Sequence, residues 1–292
     1  MPRDGSGQAP SYTSIADPNP SVEFPRGRIQ VKVETMTSVY TEFRRHARKD
    51  PPDSRDRHFV PQRKIPLRVE ITAYRPNAGP VLKQGMENTC TGEALAAVAN
   101  YLLRRHPRAG AAGPVSSRML YEMAKHYDEE RKDLNHKGST ARAAVKGWHK
   151  HGVCAAAVWP YVVGATQHEP TPAQAADARG RPLHAYYRVA THDLRLLRAA
   201  IHEIGVVYAT THVHTGWRTV DKTGRLTFPR PRYGAHAVAL VGYDKHGFWL
   251  QNSRGRGWGK LGFGHIRYAD WHANAMDAWV VELPDPNPRR QR

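Results

Sequence analysis

The chain predicts an α+β fold of two lobes, one helical and one rich in strands. Three observations carry this reading. Apolar residues recur at helical spacing within residues 89–204, they fall into short Gly-bounded strand-like runs after residue 205, and 292 residues suffice for one large domain or two lobes. Helices first and strands later favour separate layers over alternating βαβ units.

Residues 1–27 are rich in Pro, Ser, Gly and Asp without periodicity and read as a mobile tail. Arg28–Val33 alternates like a short strand, and Tyr40, Phe43 and Ala47 would share one face of a helix over Thr37–Lys49. Two prolines in Asp50–Arg55 mark a linker. The expected organisation is an N-terminal extension, partly disordered, over 1–57 and a single folded domain over 58–292. Thr89–Arg105 is the clearest helix, with Ala94, Leu95, Ala97, Val98, Tyr101 and Leu102 at helical spacing. Ser116–Tyr127, Thr140–His151 and Asp193–Ile204 read as three more. Strands are expected at Val206–Val213, Ala235–Tyr243, Phe248–Gln251, Phe263–Tyr268 and Ala278–Leu283.

Apolar residues make up 40% and charged residues 24%, which excludes a wholly disordered chain. No apolar run approaches the ~18 residues of a membrane span. Lys and Arg total 44 against 26 Asp and Glu, a formal charge of +18. That charge is spread along the chain without a dense block, so it reads as a solvated exterior rather than a nucleic-acid surface. With only Cys90 and Cys154, a disulfide-stapled scaffold is excluded. The first thirty residues lack the apolar core of a signal peptide, so a cytoplasmic protein with reduced thiols is expected.

Three segments combine reactive groups with special backbone residues. Gln84–Gly92 places a thiol, Cys90, at the start of the clearest helix, where unsatisfied N–H groups and the helix dipole favour thiolate. Gly234-Ala235-His236-Ala237-Val238 sets an imidazole in an apolar strand. Leu250-Gln251-Asn252-Ser253 puts an amide at the end of another. A thiol, an imidazole and an orienting amide form a complete set for nucleophilic attack on a carbonyl. Gln84 would add a side-chain N–H, beside the Cys90 backbone N–H, for the developing oxyanion.

These segments resemble the papain-like cysteine peptidases. Gln84 lies six residues before Cys90, as in that family, and His236-Ala237-Val238 with Gly242-Tyr243 matches its histidine segment. Asn252-Ser253, Trp258-Gly259 and Gly262-Phe263 match its asparagine segment. His236 follows Cys90 by 146 residues, within the family's roughly 130–150. Gly138, the helix within residues 143–152 and Trp159-Pro160-Tyr161 fit the middle of the first lobe. The resemblance covers about residue 58 to the end. It implies a helical lobe and a β-barrel-like lobe with the active-site cleft between them. It also implies hydrolysis of a peptide or protein substrate by Cys90, His236, Asn252 and Gln84, with no cofactor and no metal. Gly138 would pair with the extended substrate, and Ala237 and Thr210 would line the pocket for the side chain two residues before the cut.

The chain also departs from the family. The family's Cys-Gly-[Ser/Ala]-Cys-[Trp/Tyr] is replaced by Glu87-Asn88-Thr89-Cys90-Thr91, which removes a disulfide cysteine. Arg254 stands where the family has the Trp that shields the Asn–His pair, and a cation there would disfavour the imidazolium. Two other readings of the same residues stay open: a catalytically weak peptidase-like module that binds protein or polyanion, and another Cys-His acyl transferase or amidase. Gly257–Gly262 spells G-x-G-x-x-G but precedes a strand, so it lacks a phosphate-binding context. The pairs His149/His151 and His212/His214 lack partners at metal-ligand spacing.

Overall fold

The computed structural model describes residues 47–106, 113–129, 137–228 and 230–285. The expected tail over 1–27, the strand Arg28–Val33 and nearly all of the helix Thr37–Lys49 lie outside the described residues. In chain order the elements are β1 (Ala47–Arg48), α1 (Ile71–Tyr74), α2 (Cys90–Arg105), α3 (Ser117–His126), β2 (Ser139–Thr140), α4 (Ala141–His151) and α5 (Pro172–Ala178). They continue with β3 (Ala185–Arg188), α6 (Leu194–Ile204), β4 (Val207–His214), β5 (Arg232–Tyr243), β6 (Gly247–Gln251), β7 (Phe263–Arg267), α7 (Tyr268–Asn274) and β8 (Ala275–Glu282).

The four expected helices form α2, α3, α4 and α6, and local chemistry explains their ends. The Ser116 hydroxyl accepts from the Met119 N–H, Thr140 from that of Ala143, and Asp193 from those of Arg195 and Leu196. Gly205 closes α6 at φ +92°, a conformation glycine adopts without strain. Ala47–Arg48, expected at the end of a helix, instead pairs in parallel with Ser139–Thr140. That pairing satisfies backbone groups that local periodicity alone would assign to a helix.

Six strands form one antiparallel sheet in the order β3-β8-β4-β5-β6-β7. Among the described residues β3 and β7 are its end strands, bridged further to His58 and Arg225, and they do not pair with each other, so the sheet does not close into a barrel through them. Both faces are buried. Tyr208, Ala237, Ala239 and Val241 pack toward α2 with Leu95 and Val98, whereas Val207, Ala209, Val238 and Leu240 pack toward Leu197, Ile201 and Trp271 of α6 and α7. This two-sided burial explains why β5 reads as an almost continuous apolar run. Met119, Met123, Cys154, Trp159 and Ala178 form a smaller core inside the helical lobe. Gly92 lets α2 cross α3 closely: a Cβ there would lie 2.5 Å from the Ser117 carbonyl oxygen. Among the described residues no helix is long and apolar enough to cross a membrane.

Residues 47–57, grouped by the sequence with the N-terminal extension, carry a buried ionic cluster. The Asp50 carboxylate accepts from the Arg142 N–H (2.8 Å) and from Trp279 Nε1 (2.8 Å). Arg188 bridges Asp50, Asp56 and Asp277, and Arg142 pairs with Asp56 at 2.6 Å.

Candidate active site

Cys90 is the first residue of α2 and is fully buried. The backbone N–H groups of Ala237, the neighbour of His236 in β5, and of Thr91 act on its sulfur in the direction that favours thiolate. Tyr208 of β4 donates to the Thr91 carbonyl (3.0 Å), tying the start of α2 to the sheet. The helix start was expected to lower the thiol pKa. Burial instead pushes it up to about 12, outweighing the Ala237 N–H, the Arg254 cation and the Thr91 N–H, which all pull it down. Arg254 thus acts on the sulfur, in the direction that favours thiolate.

His236 is 3% exposed, and its Nε2 lies 2.8 Å from Asn252 Oδ1. The same amide oxygen accepts from the Ser253 N–H (2.8 Å), so two donors fix the Asn252 side chain. Nε2 is thus the ring nitrogen that faces the Asn252 amide, and Nδ1 points away from it.

Gln84 joins this group from the loop before α2. Its Oε1 accepts from the Ser253 hydroxyl (2.6 Å), and its Nε2 donates to the Glu87 carbonyl (2.9 Å). Its backbone N–H donates to Ser253 (3.1 Å), and its carbonyl accepts from Tyr161 (2.5 Å). These contacts orient the amide, whose NH2 carries a second hydrogen.

Cys90, His236, Asn252 and Gln84 are therefore brought together. Ala237 shares the buried core with Cys90. Thr210 is its register partner in β4, but the Thr210 hydroxyl turns away to donate to Asp277 (3.2 Å). Gly138 adopts φ +79°, and its N–H donates to the Tyr121 hydroxyl (3.1 Å). The hydroxyls of Thr91 and Ser139, 2.6 Å apart, tie the segment after Gly138 to α2. Near it lies a cavity of about 380 Å³ lined in part by Asn88, Thr89, Tyr121 and Lys137. Among the described residues no group of three His, Cys, Asp or Glu side chains could hold a metal ion.

Two features were not legible in the sequence. Trp217 packs edge-on to the His236 ring at 6.2 Å, and Trp258 stacks on Trp217 at 6.0 Å. Aromatic cover of the histidine thus comes from the turn after β4, despite Arg254 replacing the expected Trp. Where the family has a disulfide cysteine, Glu87 pairs with the buried Arg118 (2.6 Å) and accepts from the Gly164 N–H (2.8 Å). That ionic clasp ties the loop before Cys90 to α3, the segment across from it.

The buried thiol at the start of α2 thus lies against the strand that carries the amide-oriented imidazole. Residues 74–280, more than half of the chain, match the family described as papain family cysteine protease, and the chain belongs to that family. No curated protein matches the chain. Among solved structures, xylellain, a cysteine protease from Xylella fastidiosa, is 25% identical with a TM-score of 0.73 over 83% of this chain and 97% of that one. Digestive procathepsin L 3 of Tenebrio molitor larval midgut is 16% identical with a TM-score of 0.61, covering 86% of this chain and 79% of that one. The proform of the ragweed pollen allergen Amb a 11, a cysteine protease, is 21% identical with a TM-score of 0.62 over 77% and 69%. The last two likenesses concern the fold alone.

Proposed function

We propose that this protease hydrolyses peptide bonds through a thioester on Cys90. The observation that carries the reading is the packing of Cys90 into one core with Ala237, whose neighbour His236 is held by Asn252 through Nε2. His236 Nδ1 takes the thiol proton, and the sulfur attacks the scissile carbonyl carbon. The oxyanion receives hydrogen bonds from the Cys90 N–H and the second Nε2 hydrogen of Gln84. His236 then gives its proton to the leaving amine, and the C–N bond breaks. In the second half His236 takes a proton from water, which attacks the thioester, and the acid leaves as the thiol re-forms.

Burial favours the neutral thiol, whereas the Ala237 and Thr91 N–H groups and the Arg254 cation favour thiolate.

Cleavage of an internally quenched peptide library tests this. Cys90→Ala and His236→Ala should lose at least ~10³-fold in kcat/KM, as expected for members of a catalytic set acting together, while Cys154→Ala retains activity. Wild-type turnover that survives in Cys90→Ala would refute the reading.

A further inference from the structure

β4, the neighbour of the strand that carries His236, ends in a second buried imidazole. Its pairing with β5 slips between Val213 and His214, a bulge of the kind that re-aims a side chain. The His214 ring is fully buried, and its Nε2 lies 2.9 Å from the equally buried Asp270 carboxylate on α7. Nδ1 accepts from the Gly216 N–H (3.2 Å), so the ring is neutral and donates its one proton from Nε2 to Asp270. The other Asp270 oxygen accepts from Asn274 Nδ2 (2.8 Å), and Asn274 Oδ1 accepts from Arg232 Nε (2.6 Å). The reaction proposed above uses none of these groups.

What the ring holds is the turn Thr215–Trp217. By accepting from Gly216 it closes that turn at the strand end. The turn has no slack: a Cβ on Gly216 would overlap the Thr227 carbonyl oxygen and lie 2.9 Å from the His214 ring. The turn ends in Trp217, buried and edge-on to the His236 ring at 6.2 Å. The Trp217 indole N–H has no hydrogen-bond partner among the described residues, so no polar contact of its own sets the side chain's place. Packing and the backbone set it. The Trp217 carbonyl accepts from Trp258 Nε1 (2.8 Å), and the residue before it is fixed by His214. A chain of contacts thus runs from Asp270 through His214 and Gly216 to Trp217 and the His236 ring.

We infer that His214 and Asp270 are positioning residues for the peptidase reaction, which hold Trp217 against His236. The inference rests on the peptidase reading above and deepens it. An indole edge-on to the imidazole narrows the orientations open to His236 beyond what its bond to Asn252 fixes. A catalytic group misplaced by ~1 Å costs as much as ~10²-fold in rate.

The test measures kcat and KM on an internally quenched peptide, at a temperature where thermal melts show each variant folded. His214→Ala should lower kcat by ~10–10²-fold and leave KM within about 2-fold. His214→Asn, whose amide oxygen can stand in for Nδ1 toward Gly216, should restore part of that loss. Asp270→Asn leaves one oxygen for the two donors His214 and Asn274 and should lower kcat in the same way. In a Trp217→Ala background neither His214→Ala nor Asp270→Asn should lower kcat further, because the contact they serve is already gone. Should His214→Ala not fold, Asp270→Asn carries the same comparison. Ring resonances of isotope-labelled histidine, with His236 assigned by its loss in His236→Ala, read the placement without turnover: Trp217→Ala, His214→Ala and Asp270→Asn should all shift them. Wild-type kcat in folded His214→Ala, losses that add to that of Trp217→Ala, or unmoved His236 resonances would overturn the inference. Shifted resonances in a chain whose wild type cleaves no peptide would overturn the peptidase reading alone.

Discussion

Replacing Gln84 with alanine isolates one half of the proposed oxyanion site. The amide is held by the Ser253 hydroxyl on its oxygen (2.6 Å) and by the Glu87 carbonyl on its nitrogen (2.9 Å), which leaves one N–H for the oxyanion. Losing one such donor costs ~10²–10³-fold in kcat, or ~2.7–4 kcal/mol of transition-state stabilisation. The same change leaves the Ser253 hydroxyl and Glu87 carbonyl without this partner, so a fall in Tm is expected too, at ~1–3 kcal/mol per buried group. Stopped-flow single turnover on a fluorogenic peptide, at a temperature where thermal melts show the variant folded, separates the two effects. Ser253→Ala provides the graded control. It keeps the donor but frees the amide oxygen, and one neutral hydrogen bond of ~1 kcal/mol predicts a several-fold loss. A folded Gln84→Ala enzyme that retains kcat within about 3-fold, against the ~10²-fold minimum, would refute the oxyanion role.

Three further outcomes follow from other contacts. Trp217→Ala strips the edge-on ring from His236 and should cost ~3–5 kcal/mol in stability, whereas Trp217→Phe should recover most activity on a pH–rate profile; equal profiles for both variants would argue against a role for the ring. Burial, then repulsion from Asp277, holds Asp50 up at about 7, above the ~3.9 of an unfolded carboxyl. The native state binds that proton more tightly, so stability should fall as pH rises from ~4 to ~7, by up to ~1.4 kcal/mol per pH unit. Asp50→Asn should flatten that slope in urea unfolding, and an unchanged slope would contradict the assignment. Gly92→Val should push α2 off α3, because even a Cβ would lie 2.5 Å from the Ser117 carbonyl oxygen. A loss of ~1–3 kcal/mol or more is expected, and an unchanged Tm would show that the crossing yields easily.

The long helices and central strands are legible because their signals are local. Apolar spacing marks α2 and α6, caps at Ser116, Thr140 and Asp193 mark helix starts, and Gly205 marks an end. Four-residue β3 carries too few alternations to stand out, and α7 follows β7 directly, so its first residue reads as strand. The motif residues Cys90, His236, Asn252 and Gln84 are legible through spacing. Trp217 is not, because its contact with His236 exists only once β4 and β5 pair. The ionic cluster around Asp50 is hidden for a similar reason. Two prolines among charged residues spell a linker, while the partners Arg188 and Asp277 lie far along the chain. Arg254 is visible in the sequence, but the group it acts on is not: at the sulfur its charge favours thiolate.

The central claim is that Cys90 carries the acyl group. Rapid quenching of wild type with an activated ester that deacylates slowly, followed by mass spectrometry of the digested protein, reads that group directly. The account predicts one acyl adduct on Cys90, unchanged in Cys154→Ala and greatly slowed in His236→Ala. An adduct on Cys154, or ester turnover at the wild-type rate in Cys90→Ala, would contradict it.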